Sequence, residues 1–334
     1  MKKFNPKEIY YEKDVLSYDL GKFLKEKYHN IPWTEIDNHN NIPKFRNKPN
    51  SEFAKMKQNI IIGTRKTHKY TPNNKTSDFL VPYTSSGCSA ACLYCYLVCN
   101  YNKCSYLRLF VNREKMLEKI IKTSQKSNKP LTFEIGSNSD LVLENTITNN
   151  LVWTIKNFAH EGHGFLTLPT KFDMVDSLLN LDHKRKVIIR MSVNPNKIIQ
   201  EIELGTSSLD NRITAVNKLC EADYPVGLLI APVIMIPNWE TLYTELLSKL
   251  ESKLSKKAKK SIFIEIIFMT YSYIHRAINQ EAFINAIDLY DKDLMTGRGR
   301  GKYCYKQDLR NQGEQFFRNE IFKYLPNSHI EYIV

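Results

Sequence analysis

From residue 79 onward, short runs of near-continuous Val, Ile, Leu and Phe alternate with segments of helical period, and few folds satisfy that rhythm. The apolar runs are FLVPYT (79–84), LTFEIGS (131–137), GFLTLPT (164–170), KVIIRMSVN (186–194), VGLLIAPVIM (226–235) and SIFIEIIFM (261–269). Runs without polar alternation suit strands buried on both faces, as in a parallel sheet covered by helices. Helical stretches at 112–126, 145–159, 208–222 and 238–254 supply the crossovers. These six units fall short of the eight that close a barrel. The expected fold class is therefore α/β, an open partial (β/α)6 TIM barrel.

The flanks do not follow the rhythm. Residues 1–78 hold a helical stretch, YDLGKFLKEKYHN, and a strand-like one, QNIIIGTRK, and are expected to form an N-terminal cap packed on the barrel. The barrel itself is expected over 79–290. Residues 291–334 begin with the glycine-rich, basic MTGRGRGKYCYKQD, which reads as a β-hairpin, and continue with a helix (309–324) and a final strand, HIEYIV.

Composition narrows the setting. No apolar run reaches the 18 or so residues needed to span a bilayer, and MKKFNPKEIYYEKD lacks the apolar centre of a signal peptide. A cytoplasmic protein with no membrane association is expected. The formal net charge of +13 suits a polyanionic partner such as nucleic acid, although the abundance of Lys, Asn and Ile also fits an AT-rich coding bias. The densest lysine run, SKLSKKAKKS (252–261), reads as the solvated end of a helix and its following loop.

Five of the seven cysteines fall within SSGCSAACLYCYLVCNYNKC, residues 85–104. In a reducing compartment such clustering points to metal ligands or catalytic thiols rather than disulfides. Cys88, Cys92 and Cys95 form C-x3-C-x2-C directly after the first barrel strand, at the mouth where barrel active sites sit. Three thiolates at this spacing can hold three irons of a 4Fe–4S cluster and leave the fourth iron free to chelate S-adenosylmethionine. The competing reading is a zinc site completed by Cys99 or Cys104, but zinc knuckles favour paired C-x2-C turns and only one such pair is present.

GCSAACLYCYL, with Tyr94 and Tyr96 flanking the third cysteine, resembles the spore photoproduct lyase family of radical S-adenosylmethionine enzymes. The resemblance runs through FNPKEIYYEKDVLSYDLGK, GTRKT, FEIGSNSD, TKFDMVDSLL, RMSVNP, ELGTSSLDNRI, YPVGLLIAPV and GKYCYKQD, in the same order along nearly the whole chain. It implies a DNA-repair lyase acting on 5-thyminyl-5,6-dihydrothymine in double-stranded DNA. In that family a 5′-deoxyadenosyl radical takes a hydrogen atom from the lesion, the crosslink breaks, and a cysteine returns a hydrogen atom to the thymine methyl radical. Tyr94 and Tyr96 would relay the electron hole back toward the cofactor. Lys171, Ser192, Asn194 and Ala231 match cofactor-binding positions, and Arg190 alternates onto the same strand face as Ser192 and Asn194. Ser139 matches a lesion-contacting serine. The resemblance also implies a monomer served by an electron donor such as a flavodoxin or ferredoxin.

Two departures stand out. Ser137 occupies the place of the family's donor cysteine, and a hydroxyl is a far poorer hydrogen-atom donor than a thiol. Cys304 or Cys99 is the expected substitute, since Cys220 lies in a helix and reads as core. The family's arginine–tyrosine wedge is replaced by TGRGRGKY, without an aromatic at the matching tip, leaving Arg298, Arg300, Lys302 and Tyr303 as candidate DNA contacts. These departures leave open a second reading, a radical enzyme of the same fold acting on another substrate such as a peptide.

Overall fold

The computed structural model describes residues 4–100 and 106–334; for Arg46, Cys99 and Asn100 it describes the backbone alone, and Cys104 lies outside the described residues. Six parallel strands line up in chain order: Phe79–Leu80, Leu131–Glu134, Gly164–Thr170, Val187–Ser192, Val226–Val233 and Phe263–Phe268. Thr71–Pro72 joins antiparallel at one edge, and His329–Ile333 adds parallel at the other. The sheet curls into the expected half-barrel. Its strand interiors, Leu166, Leu168, Val187, Ile189, Met191, Leu228, Ile230, Ile264 and Ile266, are fully buried. They share one apolar core with the outer helices.

The crossovers correct two expectations. The helical stretch expected at 145–159 begins at Leu141, where Asp140 caps it by accepting from the amides of Val142 and Leu143. It breaks at Asn149, which takes a left-handed conformation (φ 56°), and resumes over Asn150–Glu161. The lysine run is not a loop either. Ser255 caps a separate short helix, Lys256–Ser261.

At the C-terminal side, helix Gln307–Tyr324 docks on helix Trp239–Lys253 through aromatic edges, Trp239–Phe316 at 5.0 Å and Tyr243–Phe317 at 5.2 Å. It delivers the chain to the final parallel strand. Ahead of the half-barrel lies a second sheet, ordered Trp33–Ile36, Glu8–Glu12, Asn59–Gly63, Leu107–Phe110 and Ser85–Ser86. Residues on both sides of position 78 contribute to it, so it grips the segment that carries the cysteines. Among the described residues no helix is long and apolar enough to cross a membrane.

Candidate active site

The cysteine loop leaves the first strand at the C-terminal mouth and is held by its backbone from several directions. Gly87 turns at φ 78°, its amide donates to Asn138 O (2.8 Å), and Ser139 Oγ donates to its carbonyl (2.8 Å). From the half-barrel, Leu204 O and Ile202 O accept the amides of Ala91 and Leu93. From the other side, Lys57 Nζ donates to Cys88 O (2.8 Å) and Asn279 Nδ2 to Leu93 O (2.7 Å). His275 Nδ1 accepts from the Ser272 amide, which leaves Nε2–H to donate to Cys95 O (3.0 Å). Burial lowers the His275 pKa and keeps this neutral tautomer.

Lys57 is 3 % exposed, and its charged hydrogen bond to a ligand-loop carbonyl is of a kind that contributes about 1.5–3 kcal/mol. Lys57→Met is expected to loosen the loop and speed loss of bound iron to a chelator, measured as the rate of bleaching against wild type.

Cys88, Cys92 and Cys95 share the wall of a cavity of about 520 Å³. Burial pushes the Cys88 thiol up to about 12 and raises Cys92 as well, with the neighbouring sulfurs adding to the effect. Among the described side chains no further thiol joins this wall. An all-sulfur donor set of three, next to space for a ligand, fits a 4Fe–4S cluster with an open iron. Cys99 lies in the short helix Leu97–Asn100, its side chain outside the described residues.

Beside the thiols sits a buried charge network that local sequence patterns do not announce. Lys171 Nζ reaches Glu203 Oε1 (3.1 Å), Ser192 Oγ and Ala231 O (2.9 Å). The other Glu203 oxygen meets Arg212 Nη2 at 2.7 Å, and neither side chain has any exposure. Arg212 spends its remaining donors on Ser207 O, Ser192 O and Thr206 Oγ1. Tyr94 donates its hydroxyl to Glu203, and Asn194 Nδ2 donates to the same oxygen (2.9 Å). Burial alone would raise the Glu203 carboxyl, but Lys171, Arg212 and these hydrogen bonds outweigh it and hold it at about 2. Burial and the Glu203 charge together raise Tyr94 well above the ordinary phenol range. Glu203 and Arg212 lie inside ELGTSSLDNRI, a stretch that carries the family resemblance but gives its charges no local signature.

The cofactor candidates divide between wall and support. Lys171, Arg190, Ser192 and Ala231 line the cavity. Asn194 is fully buried behind it, bonded to Glu203, Pro232 O and Tyr243, so it positions the network rather than facing the cavity. Arg190 is clamped by Glu134 (2.7 Å) and Glu265 (3.3 Å) and donates to Thr76. Asp140, besides capping its helix, accepts from Thr170 Oγ1 and the Lys171 amide (2.9 Å each), which ties the ends of adjacent strands together. Lys75, which no motif singles out, lies on the wall with its ammonium 5.2 Å from the Tyr332 ring.

A second cavity, about 630 Å³, opens next to the first and shares Tyr96 and Thr270 with it. Arg298, Arg300 and Lys302 form its cationic wall. They stand on the hairpin Met295–Gly299 and Lys302–Tyr305, whose turn places Gly299, Arg300 and Gly301 at positive φ. The third hairpin strand is Thr270–Ser272, which pairs with Lys302–Tyr305. Tyr303 turns away and packs edge-on against Tyr290 at 4.7 Å. Cys304 pairs with Thr270 and Thr296 and stands on the wall of neither cavity. Tyr96 is 52 % exposed, and its hydroxyl donates to Ser137 O.

A curled half-barrel with three thiols at its mouth beside a charged ligand pocket defines a radical S-adenosylmethionine lyase. The spore photoproduct lyase family model matches residues 4–334, and the chain belongs to that family. It is 31% identical to spore photoproduct lyase of Bacillus subtilis (strain 168) over 337 residues, covering 98% of each chain. It is 29% identical to that of Geobacillus sp. (strain Y412MC61) over 340 residues, covering 99% of each. Among solved structures, spore photoproduct lyase complexed with dinucleoside spore photoproduct superposes with a TM-score of 0.92 at 29% identity over 100% of both chains. A variant with bound AdoMet and the same dinucleoside gives the same score, identity and coverage.

Proposed function

We propose that this chain repairs DNA by converting the spore photoproduct back to two thymines. The observation that carries the reading is the pair of joined cavities, one walled by three thiols and the other by Arg298, Arg300 and Lys302. A 4Fe–4S cluster on Cys88, Cys92 and Cys95 and S-adenosylmethionine supply, when bound, the radical that takes a hydrogen atom from the lesion. The protein's own part is placement. Lys171 and Ser192 offer a cation and a hydroxyl to a carboxylate, and Ala231 lines the cavity beside them. Glu203, itself fixed by Arg212, holds Lys171 from behind, so its ammonium keeps one position. Arg190, fixed by Glu134 and Glu265, gives the cavity a rigid floor. Ser139 is engaged with Gly87 O and sets the height of the cysteine loop against the lesion. A low-potential protein such as a flavodoxin or ferredoxin fits as the electron donor. Turnover of the synthetic dinucleotide photoproduct under anaerobic conditions tests the reading, and an inert, cluster-loaded enzyme would refute it.

The cationic wall suits phosphates flanking an extruded lesion, because arginine and lysine neutralise phosphate without reading sequence. Arg298→Ala and Arg300→Ala are expected to weaken binding to lesion-bearing duplex. Each should flatten the slope of log affinity against log salt by about 1 for each phosphate it no longer neutralises. Reaction of the isolated dinucleotide should change much less. Equal losses on both substrates would place these arginines at the reacting centre or in folding.

A further inference from the structure

Breaking a crosslink between two thymines joined through a methyl carbon leaves a radical on that carbon, and one hydrogen atom must be added to make the methyl group. The cavity walls offer a short choice of donors. The hydroxyls of Ser137, Ser139, Ser192, Thr170 and Thr270 have strong alkyl O–H bonds and cannot quench such a radical. Among the described side chains, the wall thiols are the three assigned to the cluster, and Cys304 is on neither wall. Phenolic O–H bonds are comparable in strength to thiol S–H bonds, and the described walls carry four phenols. Tyr271 is buried, its hydroxyl accepting from Asn279 Nδ2 (3.2 Å), and Tyr332 lies on the thiol-walled cavity alone, its ring against the Lys75 ammonium. Tyr94 points its hydroxyl away into the buried Glu203 network. Tyr96 stands where the thiol-walled and cationic cavities meet, is half exposed, and rests its hydroxyl on Ser137 O at the cavity wall.

We infer that Tyr96 gives the hydrogen atom to the thymine methyl radical directly; the inference rests on the lyase reading above. The step is balanced: the Tyr96 O–H bond breaks, a C–H bond forms on the methyl carbon, and the product is thymine plus a Tyr96 phenoxyl radical. The phenoxyl is restored by one electron from the same class of low-potential one-electron donor the enzyme already requires. Its proton comes from solvent, which reaches the exposed ring. The backbone contact to Ser137 fixes the phenol while the side chain of residue 137 takes no part in the chemistry.

The test uses the full-length, cluster-loaded protein with the dinucleotide photoproduct, S-adenosylmethionine and dithionite. Freeze-quenched wild type is expected to show a phenoxyl radical by electron paramagnetic resonance, with a hyperfine pattern that narrows when ring-deuterated tyrosine is incorporated. Tyr96→Phe, with unchanged iron content, should lose that signal and divert product from thymine to a sulfinate adduct of the methyl carbon. Adding Ser137→Cys to Tyr96→Phe should return the product to thymine by supplying a thiol at the same wall. Clean thymine from Tyr96→Phe, or a sulfur-centred radical in wild type, would overturn the assignment. The labelled wild-type measurement needs no substitution, so a folding defect in the variant cannot hide the answer. A wild type that consumes no photoproduct sinks the lyase reading and this inference together. Photoproduct consumed by a Tyr96→Phe enzyme with clean thymine as product sinks the donor assignment alone.

Discussion

Alanine at any one of Cys88, Cys92 or Cys95 is expected to abolish the brown absorption and the bound iron after anaerobic reconstitution, and reductive cleavage of S-adenosylmethionine with them. Each thiol is the sole protein ligand its iron would have, and no further described thiol reaches the wall to replace it. The buried pocket gives the loss an all-or-none character. With Cys88 pushed up to about 12 and Cys92 raised as well by burial, these two thiols hold their protons at neutral pH, and only metal charge draws them off. Two remaining thiols in that setting make a poor site for a labile cluster. Cys99→Ala should keep its iron. Iron quantitation and visible spectra on the four variants check this, and equal loss in Cys99→Ala would make the site a four-cysteine one.

Glu203→Ala is expected to cost about 3–5 kcal/mol of folding stability, because it removes the one carboxylate that, among the described residues, pairs with the buried Arg212 and with Lys171. Arg212 has no exposure, so water cannot compensate it, whereas Lys171 on the cavity wall is only partly screened. The shift should appear in the urea midpoint of the apo protein. Glu203→Gln, which keeps the shape and two hydrogen-bonding positions, should lose less. The same group carries a pH dependence with a definite sign. Its folded pKa, about 2, lies below the ordinary 4.5, so the unfolded chain binds the proton more readily. The contribution is fully present above about pH 4.5 and is lost as pH falls toward 2, roughly 3 kcal/mol across that window. Glu12, also held at about 2 against burial by His39 and by the His39 and Thr64 amides, titrates in the same window. Glu203→Ala should therefore reduce the acid slope of stability without removing it.

The strand rhythm made the half-barrel legible because strands buried on both faces admit little but aliphatic residues. The cysteine spacing located the mouth for a comparable reason, since ligand spacing is a local property. What stayed hidden is long-range. Glu203 meets Lys171 across 32 residues and Tyr94 across 109, and no periodicity marks a carboxylate destined for burial between cations. Lys57 and His275 support the cysteine loop from opposite ends of the chain. Arg190 illustrates the half-legible case: its strand parity put it on the cavity face, while its clamp by Glu134 and Glu265 depended on neighbouring strands. Tyr303 shows the converse, since hairpin parity alone could not say which face meets the cationic cavity and which meets Tyr290.

The final strand, His329–Ile333, covers what would otherwise be an open edge of the half-barrel sheet. It pairs along Phe263–Phe268, and the last residue continues the ladder through Phe268 N to Val334 O (2.7 Å) and Val334 N to Ile266 O (3.0 Å). Phe263–Phe268 is an uninterrupted β-prone stretch with a single charge, and without this cover it would offer open backbone to any other chain. Its replacement at the margin is a strand bearing His329 and Glu331, polar side chains that discourage a further partner. The terminal strand thus trades an adhesive sheet margin for a guarded one.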